Sequence, residues 1–435
     1  MLTATIPANM IFEHFTRGEP PQRAGGERVR RGSNADRHRT EAGYTRSEDT
    51  RMDNRLYQLA AVALSFACAV PAAAQSGAKP RLGRFFLGAD VSALAAPRGG
   101  GRGQLAYQED GKPGEEWEIL MRHGWNLFRL RVFVSPVRSA PNNSLENTIP
   151  LARKIKAAGA TFLLDLHFSD TWADPQHQDI PVAWRGLDID GLEEKWEQHA
   201  YDTIKALKDA NAMPDMVQIG NEITRGAAWP VARLQIPGST QYPPPEPYDE
   251  ARQFGNLTRL LKAGIRGVEA AAGKAKPRIV IHIDQGGHWG ATQWFFDHLI
   301  AAKVKFDIIG QSFYPPWGHG SLEDLWNNMN QCAKRYKKDF AVVETGYMPS
   351  RTPAAAGLMI WPVTAEGRLQ FLVDLINTVQ GGPRGISVMY WAPERDVWDA
   401  DGTPGPSVFL LDKLASLTRS PESHLPAGVA SKGKH

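Results

Sequence analysis

Two glutamates stand where catalysis by carboxylates would need them. The run Met216-Val217-Gln218-Ile219-Gly220-Asn221-Glu222 is a short apolar segment that stops at an amide and an acid. Phe340-Ala341-Val342-Val343-Glu344-Thr345-Gly346-Tyr347 has the same form. Strands buried on both faces are continuously apolar, so polar groups collect where such a strand leaves the core. Two carboxylates flanking a glycosidic bond are what its hydrolysis requires: one protonates the leaving oxygen, the other attacks the anomeric carbon or activates water. Asn221 cannot titrate, but its amide can hydrogen-bond a sugar 2-hydroxyl as charge develops.

The elements that must position this pair follow from the alternation of short apolar segments with amphipathic ones after Phe85, the pattern of βα units around a parallel sheet. Eight strands are expected, at Phe85–Val91, Asn126–Val134, Thr161–His167, Met216–Glu222, Arg278–Asp284, Phe306–Tyr314, Phe340–Glu344 and Gly385–Trp391. Helices are expected between them, among them Leu145–Ala158, Leu192–Ala210, Ala251–Ala271, Leu322–Tyr336 and Ala365–Val379. Eight such units specify an α/β fold of the (β/α)8 TIM-barrel type in a single domain, 85–418, in preference to an open doubly wound sheet. Gly99-Gly100-Gly101-Arg102-Gly103 lacks the strand and helix flanks of a phosphate cradle and reads as a loop. Glu222 and Glu344 are 122 residues apart at about 40 residues per unit, which assigns them to strands four and seven, across the barrel mouth from one another. Pro-rich stretches after strands three and four, 169–187 and 224–249, should wall the site.

Several blocks occur in order along 85–400: Gly88-Ala89-Asp90-Val91-Ser92, Arg129-Leu130-Arg131-Val132-Phe133-Val134, Asp165-Leu166-His167-Phe168-Ser169-Asp170-Thr171-Trp172-Ala173-Asp174-Pro175, Gln218-Ile219-Gly220-Asn221-Glu222, Ser312-Phe313-Tyr314-Pro315 and Val343-Glu344-Thr345-Gly346-Tyr347. Together they resemble glycoside hydrolase family 53, the endo-β-1,4-galactanases. The run from Asp165 to Pro175 is particularly specific, whereas Asn-Glu alone would indicate only the wider clan of retaining barrel hydrolases. The resemblance implies a retaining endo-hydrolase of β-1,4-galactan, with Glu222 as acid/base and Glu344 as nucleophile. Arg131 or Arg129, and Tyr314, are then the donors that keep Glu344 charged. Only one of the two arginines is expected to face inward, and Arg131 is favoured. His167 and Asp90 are expected to reach sugar hydroxyls, with a backbone-bonded histidine and a loop anchor as the alternatives. Asp170 is counted with them as a substrate-binding residue. Trp391 should be the floor on which the central sugar stacks, and Trp172, Trp184, Trp229, Trp317 and Trp398 should edge a groove. Phe133 and Phe168 depart from the family pattern, as does His282-Ile283-Asp284-Gln285-Gly286-Gly287-His288-Trp289, which leaves fine specificity open.

No cofactor is required by this chemistry. His282, Asp284 and His288 lack metal-site spacing, and the loop Asp396–Asp401 is only loosely calcium-like, although some family members bind Ca2+ near strand eight. The first 74 residues hold ten Lys and Arg against eight Asp and Glu, leaving 40 against 39, so no nucleic-acid footprint exists. Residues 52–74 read as a secretory signal cleaved after Ala74, so the product is exported, secreted or periplasmic. Residues 1–51 read as an over-extended start or a disordered leader, and 419–435 as a flexible tail. Cys68 lies in the signal, leaving Cys332 alone, and no later run is long and apolar enough to span a bilayer. The rival readings are a mannanase or glucanase of the same clan and a non-catalytic polysaccharide-binding barrel.

Overall fold

The structure, a computed structural model, describes residues 85–95, 107–136, 143–244, 246–350, 352–399 and 402–411. The leader, the signal segment with Cys68, the glycine loop, Asp401, the last residues of the expected domain and the tail lie outside the described residues. Among the described residues, no helix is long and apolar enough to cross a membrane.

Eight parallel strands close on themselves: β1 (Phe86–Asp90), β2 (Leu127–Val132), β3 (Thr161–Leu166), β4 (Met216–Ile219), β5 (Arg278–Ile283), β6 (Ile308–Phe313), β7 (Asp339–Thr345) and β8 (Gly385–Trp391). Each pairs with its neighbours in chain order, and β8 returns to β1 with Asp90 opposite Trp391. Helices α1 (Glu116–Arg122), α2 (Leu145–Ala157), α3 (Ile189–Asp209), α4 (Glu250–Ala272), α5 (Trp289–Ala301), α6 (Leu322–Tyr336) and α7 (Ala365–Gly381) follow the first seven strands. This is a single (β/α)8 barrel. Side-chain caps start the long helices: Asp188 accepts from Gly191 N ahead of α3, Asp249 from Arg252 N ahead of α4, and Ser321 forms a capping box with Asp324 at α6.

Two apolar cores result from the two-residue strand period. Outward residues such as Phe128, Leu164, Val217 and Ile281 pack under the helices. Inward residues Leu127, Leu163, Met216, Val280, Ile308, Ala341 and Val343 plug the barrel. Further along, inward positions turn polar: Arg129, Asp165, Gln218 and His282 stand two residues beyond the plug on their strands and Ser312 four residues beyond Ile308, all fully buried. The barrel therefore has an apolar floor with a layer of polar side chains above it, at the C-terminal mouth where active sites of this fold lie.

α3 and α4 approach closely because α4 carries glycines at the contact. A Cβ on Gly267 would come 2.2 Å from the Glu197 carbonyl oxygen. Their outward faces are tied by Arg259 and Arg266 to Asp190, Glu193 and Glu197.

Candidate active site

Glu222 does not lie on the strand expected to carry it. β4 stops at Ile219, Gly220 turns at φ 83°, and Glu222 itself adopts the left-handed conformation at φ 48° before a short 3-10 turn over Ile223–Arg225. A non-glycine residue in that region stores strain of about 1–3 kcal/mol, which persists only where the surroundings impose it. Phe168 after β3 and Ala392 after β8 make the same left-handed step, at φ 51° and 53°. The chain thus leaves the barrel abruptly at three points of its rim.

Glu344 reaches the same place by another device. Gln311 of β6 pairs with Val342, but the next residue, Ser312, pairs with Glu344, so β7 holds one extra residue there. Regular alternation would send Ala341 and Val343 inward and Glu344 outward. The bulge lets Glu344 face the mouth as well.

The two carboxylates meet over Ser312. Its Oγ lies 2.5 Å from Glu222 Oε1, 3.2 Å from Glu344 Oε2 and 2.9 Å from His282 Nε2. Glu222, His282 and Glu344 bring one donor atom each within 4.8 Å of one another, a separation that also suits a metal ion. The Ser312 hydroxyl already stands within hydrogen-bond reach of all three, so the centre of this triangle belongs to a protein group. Both acids are buried, and burial raises both. The charge of Glu344 and then that of Asp284 push Glu222 up further, to well above the ordinary glutamate range. For Glu344 the Arg129 guanidinium opposes the effect of burial.

Arg129 is the hub of the layer below. Its Nη1 is 3.0 Å from Glu344 Oε1, and its Nη2 is 2.5 Å from Asp165 Oδ2 and 2.7 Å from Asn221 Oδ1. Against the cost of burial, Arg129 and His167 hold Asp165 well below the usual carboxylate range. The expectation that Arg131 rather than Arg129 faces Glu344 is corrected. Residues two apart share a strand face, so both arginines point inward. Arg131 stands one step nearer the rim, with its guanidinium 4.3 Å above the Trp172 ring and 3.6 Å from Asp90.

Other expected ligands prove to be committed elsewhere. His167 receives the Ala173 N–H on Nδ1 at 3.0 Å and meets Asp165 through Nε2 at 3.0 Å, which leaves no ring nitrogen for a sugar hydroxyl. Asp170 accepts from the backbone N–H groups of Ser135 and Val182, at 2.9 and 2.8 Å, and so anchors two loops. Asp90 is buried, accepts from Ser92 N at 3.0 Å and sits beneath both arginines. Tyr314 makes no hydrogen bond to Glu344 among the described contacts. Burial and the charges of Glu344 and Glu222 raise its hydroxyl well above the ordinary tyrosine value, and its ring stacks on Trp317 at 4.1 Å. Asn221 is held by its neighbours at both ends of its amide. Its Nδ2 donates to Ala173 O at 2.7 Å and retains a second N–H, while its oxygen is fixed by Arg129.

Trp391 and Trp172 are partly exposed and meet edge-on, with ring centroids 6.4 Å apart at 71°. Trp229 and Trp317 are partly exposed in neighbouring loops. Trp184 and Trp398, expected at the groove edge, are buried: Trp184 packs edge-on to His199, and Trp398 donates to Glu116 at 2.6 Å. Phe168 is stacked on Trp196 of α3 at 3.7 Å and faces the helix layer, so that departure does not line the groove. In the loop after β8, Asp396 accepts from Tyr390 at 2.8 Å and lies beside Arg368.

Reasoning on strand ends gives Gln218 and Ser312 no site role and weighs His282 only as one of several possible ligands on strand five. Their signal was present: each is a polar residue inside an otherwise apolar strand, on the inward two-residue period. His282 touches four partners, with Nδ1 2.9 Å from Asn221 Oδ1, 3.1 Å from Gln218 Nε2 and 3.4 Å from Glu222 N.

Comparison with known proteins places this geometry. The model of "Glycosyl hydrolase family 53" matches residues 86–406. An arabinogalactan endo-β-1,4-galactanase of Thermothelomyces thermophilus is 33% identical over 63% of this chain and 80% of its own length. A probable arabinogalactan endo-β-1,4-galactanase A of Aspergillus terreus is 35% identical over 71% of this chain and 85% of its own. Among solved structures, a fungal β-1,4-galactanase superposes with TM-score 0.64 at 28% identity, covering 75% of this chain and 99% of that one. The family 53 catalytic domain of Ignisphaera aggregans gives 0.63 at 28%, covering 75% and 94%. With two buried glutamates converging at the mouth of a barrel matched over its whole length, the chain belongs to glycosyl hydrolase family 53 and is a glycoside hydrolase.

Proposed function

We propose that the protein is an exported endo-hydrolase that cleaves β-1,4-galactosidic linkages in galactan with retention of configuration. The observation that carries the mechanism is the closeness of the two carboxylates, whose oxygens come within 4.8 Å. Retaining enzymes hold their carboxyl groups about 5–5.5 Å apart, whereas inverting enzymes leave about 6.5–9.5 Å for a water molecule. Glu344, ionised beside Arg129, attacks the anomeric carbon as the bond to the leaving oxygen breaks. Glu222, kept protonated by burial and by its acidic neighbours, gives that oxygen its proton. Water then attacks the glycosyl ester on Glu344 and loses a proton to Glu222, restoring both groups. Asn221 offers its remaining N–H to the 2-hydroxyl, and Trp391 and Trp172 offer apolar faces to the sugar rings. No step calls for a cofactor.

The substrate reading is supported by the relatives, one of which is named as an arabinogalactan endo-β-1,4-galactanase and another as a probable one. The charged, apolar and small-residue segments of 52–74 support export. The test of specificity is reducing-sugar release from galactan against mannan and cellulose, where preference for either of the latter assigns the enzyme to a different glycan. Proton NMR of the first product settles the stereochemistry: the β-anomer is expected before mutarotation, and initial α-anomer would overturn retention.

A further inference from the structure

Ser312 occupies a position that the double displacement described above does not use. It is fully buried on β6, opposite Glu344 across the β7 bulge, and its hydroxyl lies within hydrogen-bond distance of both carboxylates at once. A hydroxyl has one proton to donate and two lone pairs. His282 fills one lone pair. Gln218 Nε2 and the Glu222 backbone N–H both approach its Nδ1, at 3.1 and 3.4 Å, which places the ring proton on Nε2, 2.9 Å from Ser312 Oγ. Asn221 Oδ1, also near Nδ1, has both lone pairs engaged, by Arg129 at 2.7 Å and Gln218 Nε2 at 3.2 Å. Held from that side by His282, the Ser312 O–H can donate only toward the two glutamates.

We propose that Ser312 is a shared positioning donor whose single O–H follows the negative charge through the reaction, toward Glu344 in the resting enzyme and toward Glu222 once Glu344 is esterified. The proposal rests on the retaining reading. In the first step the glycosidic bond breaks, the Glu344 ester forms and the proton of Glu222 leaves with the departing hydroxyl, so the charge passes from one acid to the other. Rotation of one O–H meets that transfer without moving a heavy atom, and the return rotation accompanies deglycosylation. No bond to Ser312 forms or breaks. Donation to whichever acid is ionised lowers that acid's affinity for a proton. Glu222 is also faced by Asp284 and Asp174, Glu344 by Arg129, Asp165, Asp90 and Arg131, and Tyr314 faces both.

The test compares wild type with Ser312→Ala and Ser312→Thr, the latter keeping the hydroxyl. Wild-type turnover of galactan is established first, so failure of the enzymatic reading is seen separately. The acid limb of kcat/KM on galactan reports ionisation of Glu344 in the free enzyme. The acid limb of kcat on a dinitrophenyl β-1,4-galactobioside, for which deglycosylation is slow, reports ionisation of Glu222 in the intermediate. In Ser312→Ala both limbs are expected to move up by about one pH unit, as loss of a hydrogen bond to a charged group predicts, and Ser312→Thr should return both toward wild type. Movement of one limb alone, or of neither while kcat falls, would overturn sharing and leave Ser312 a packing residue.

Discussion

On the outer surface Arg259 and Arg266 of α4 reach Asp190, Glu193 and Glu197 of α3 at 2.5 to 2.9 Å. Inside the barrel Arg129 reaches Asp165 and Glu344 at 2.5 and 3.0 Å. The contact lengths are alike; the surroundings are not. The side chains of Arg259 and Arg266 are 41% and 46% exposed, and that of Arg129 is 0% exposed. Water and salt screen the outer pairs, whose removal is nearly free. The inner charges have given up hydration, so each depends on its partners, and removing one strands the others. The outer network fastens two helices; the inner one fixes the charge and orientation of groups placed to react.

The sharpest break in this comparison comes from the acids themselves. Glu344→Gln should lower kcat by at least about 10^4-fold. Glu222→Gln should lower it severely on substrates with poor leaving groups and much less on activated aryl glycosides, which need no acid. The same change should raise Tm. A carboxyl held above its unfolded pKa contributes stability that is complete below the unfolded value and is lost as pH rises through the folded one. Glu222→Gln should therefore melt a few degrees higher than wild type at pH 8 and little differently at pH 4. Equal shifts at both pH values would remove the buried charge as the cause.

Next in size is Arg129→Met, which leaves Asp165 and Glu344 uncompensated in the barrel. Denaturant unfolding should show a loss of about 3–5 kcal/mol, and activity should fall with it because nothing then opposes the effect of burial on Glu344 as Arg129 does. A variant as stable as wild type would mean that the inner network is dispensable to the fold.

Much of this was legible in the residues. Eight apolar segments, the helices between them and two acid-ended strands specify the barrel and the pair, because burial imposes a period that sequence carries directly. The facing of Arg129 was equally legible: a two-residue spacing puts both arginines on one face. The β7 bulge and the left-handed turn at Glu222 were not legible, since each is a local exception forced by neighbours distant in sequence. The commitments of His167 and Asp170 likewise depend on the N–H groups of Ala173, Ser135 and Val182, which only the folded loops bring to them.

A smaller effect comes from His199 on α3, packed against Phe168 and Trp184. Burial holds it neutral down to about pH 4. The unfolded chain takes up this proton near the ordinary histidine value, so stability is present above pH 6.5 and is lost as pH falls toward 4. His199→Phe should reduce the drop in Tm between pH 7 and pH 4.5 by a few degrees. An unchanged drop would assign acid sensitivity to other groups.

The smallest effect tests the outer network. Arg266→Met removes bonds to Glu193 and Glu197, whose N–O distances of 2.9 and 2.7 Å look as good as any inside the barrel. Geometry alone would rank it with Arg129→Met. Exposure ranks it far lower, because both acids regain water when the arginine goes, and Glu193 keeps Arg259 at 2.6 Å. The expected loss is below about 1 kcal/mol, smaller still in 0.5 M salt, with kcat/KM unchanged. A loss matching that of Arg129→Met would mean that distance, and not the surrounding medium, sets the worth of an ion pair in this barrel.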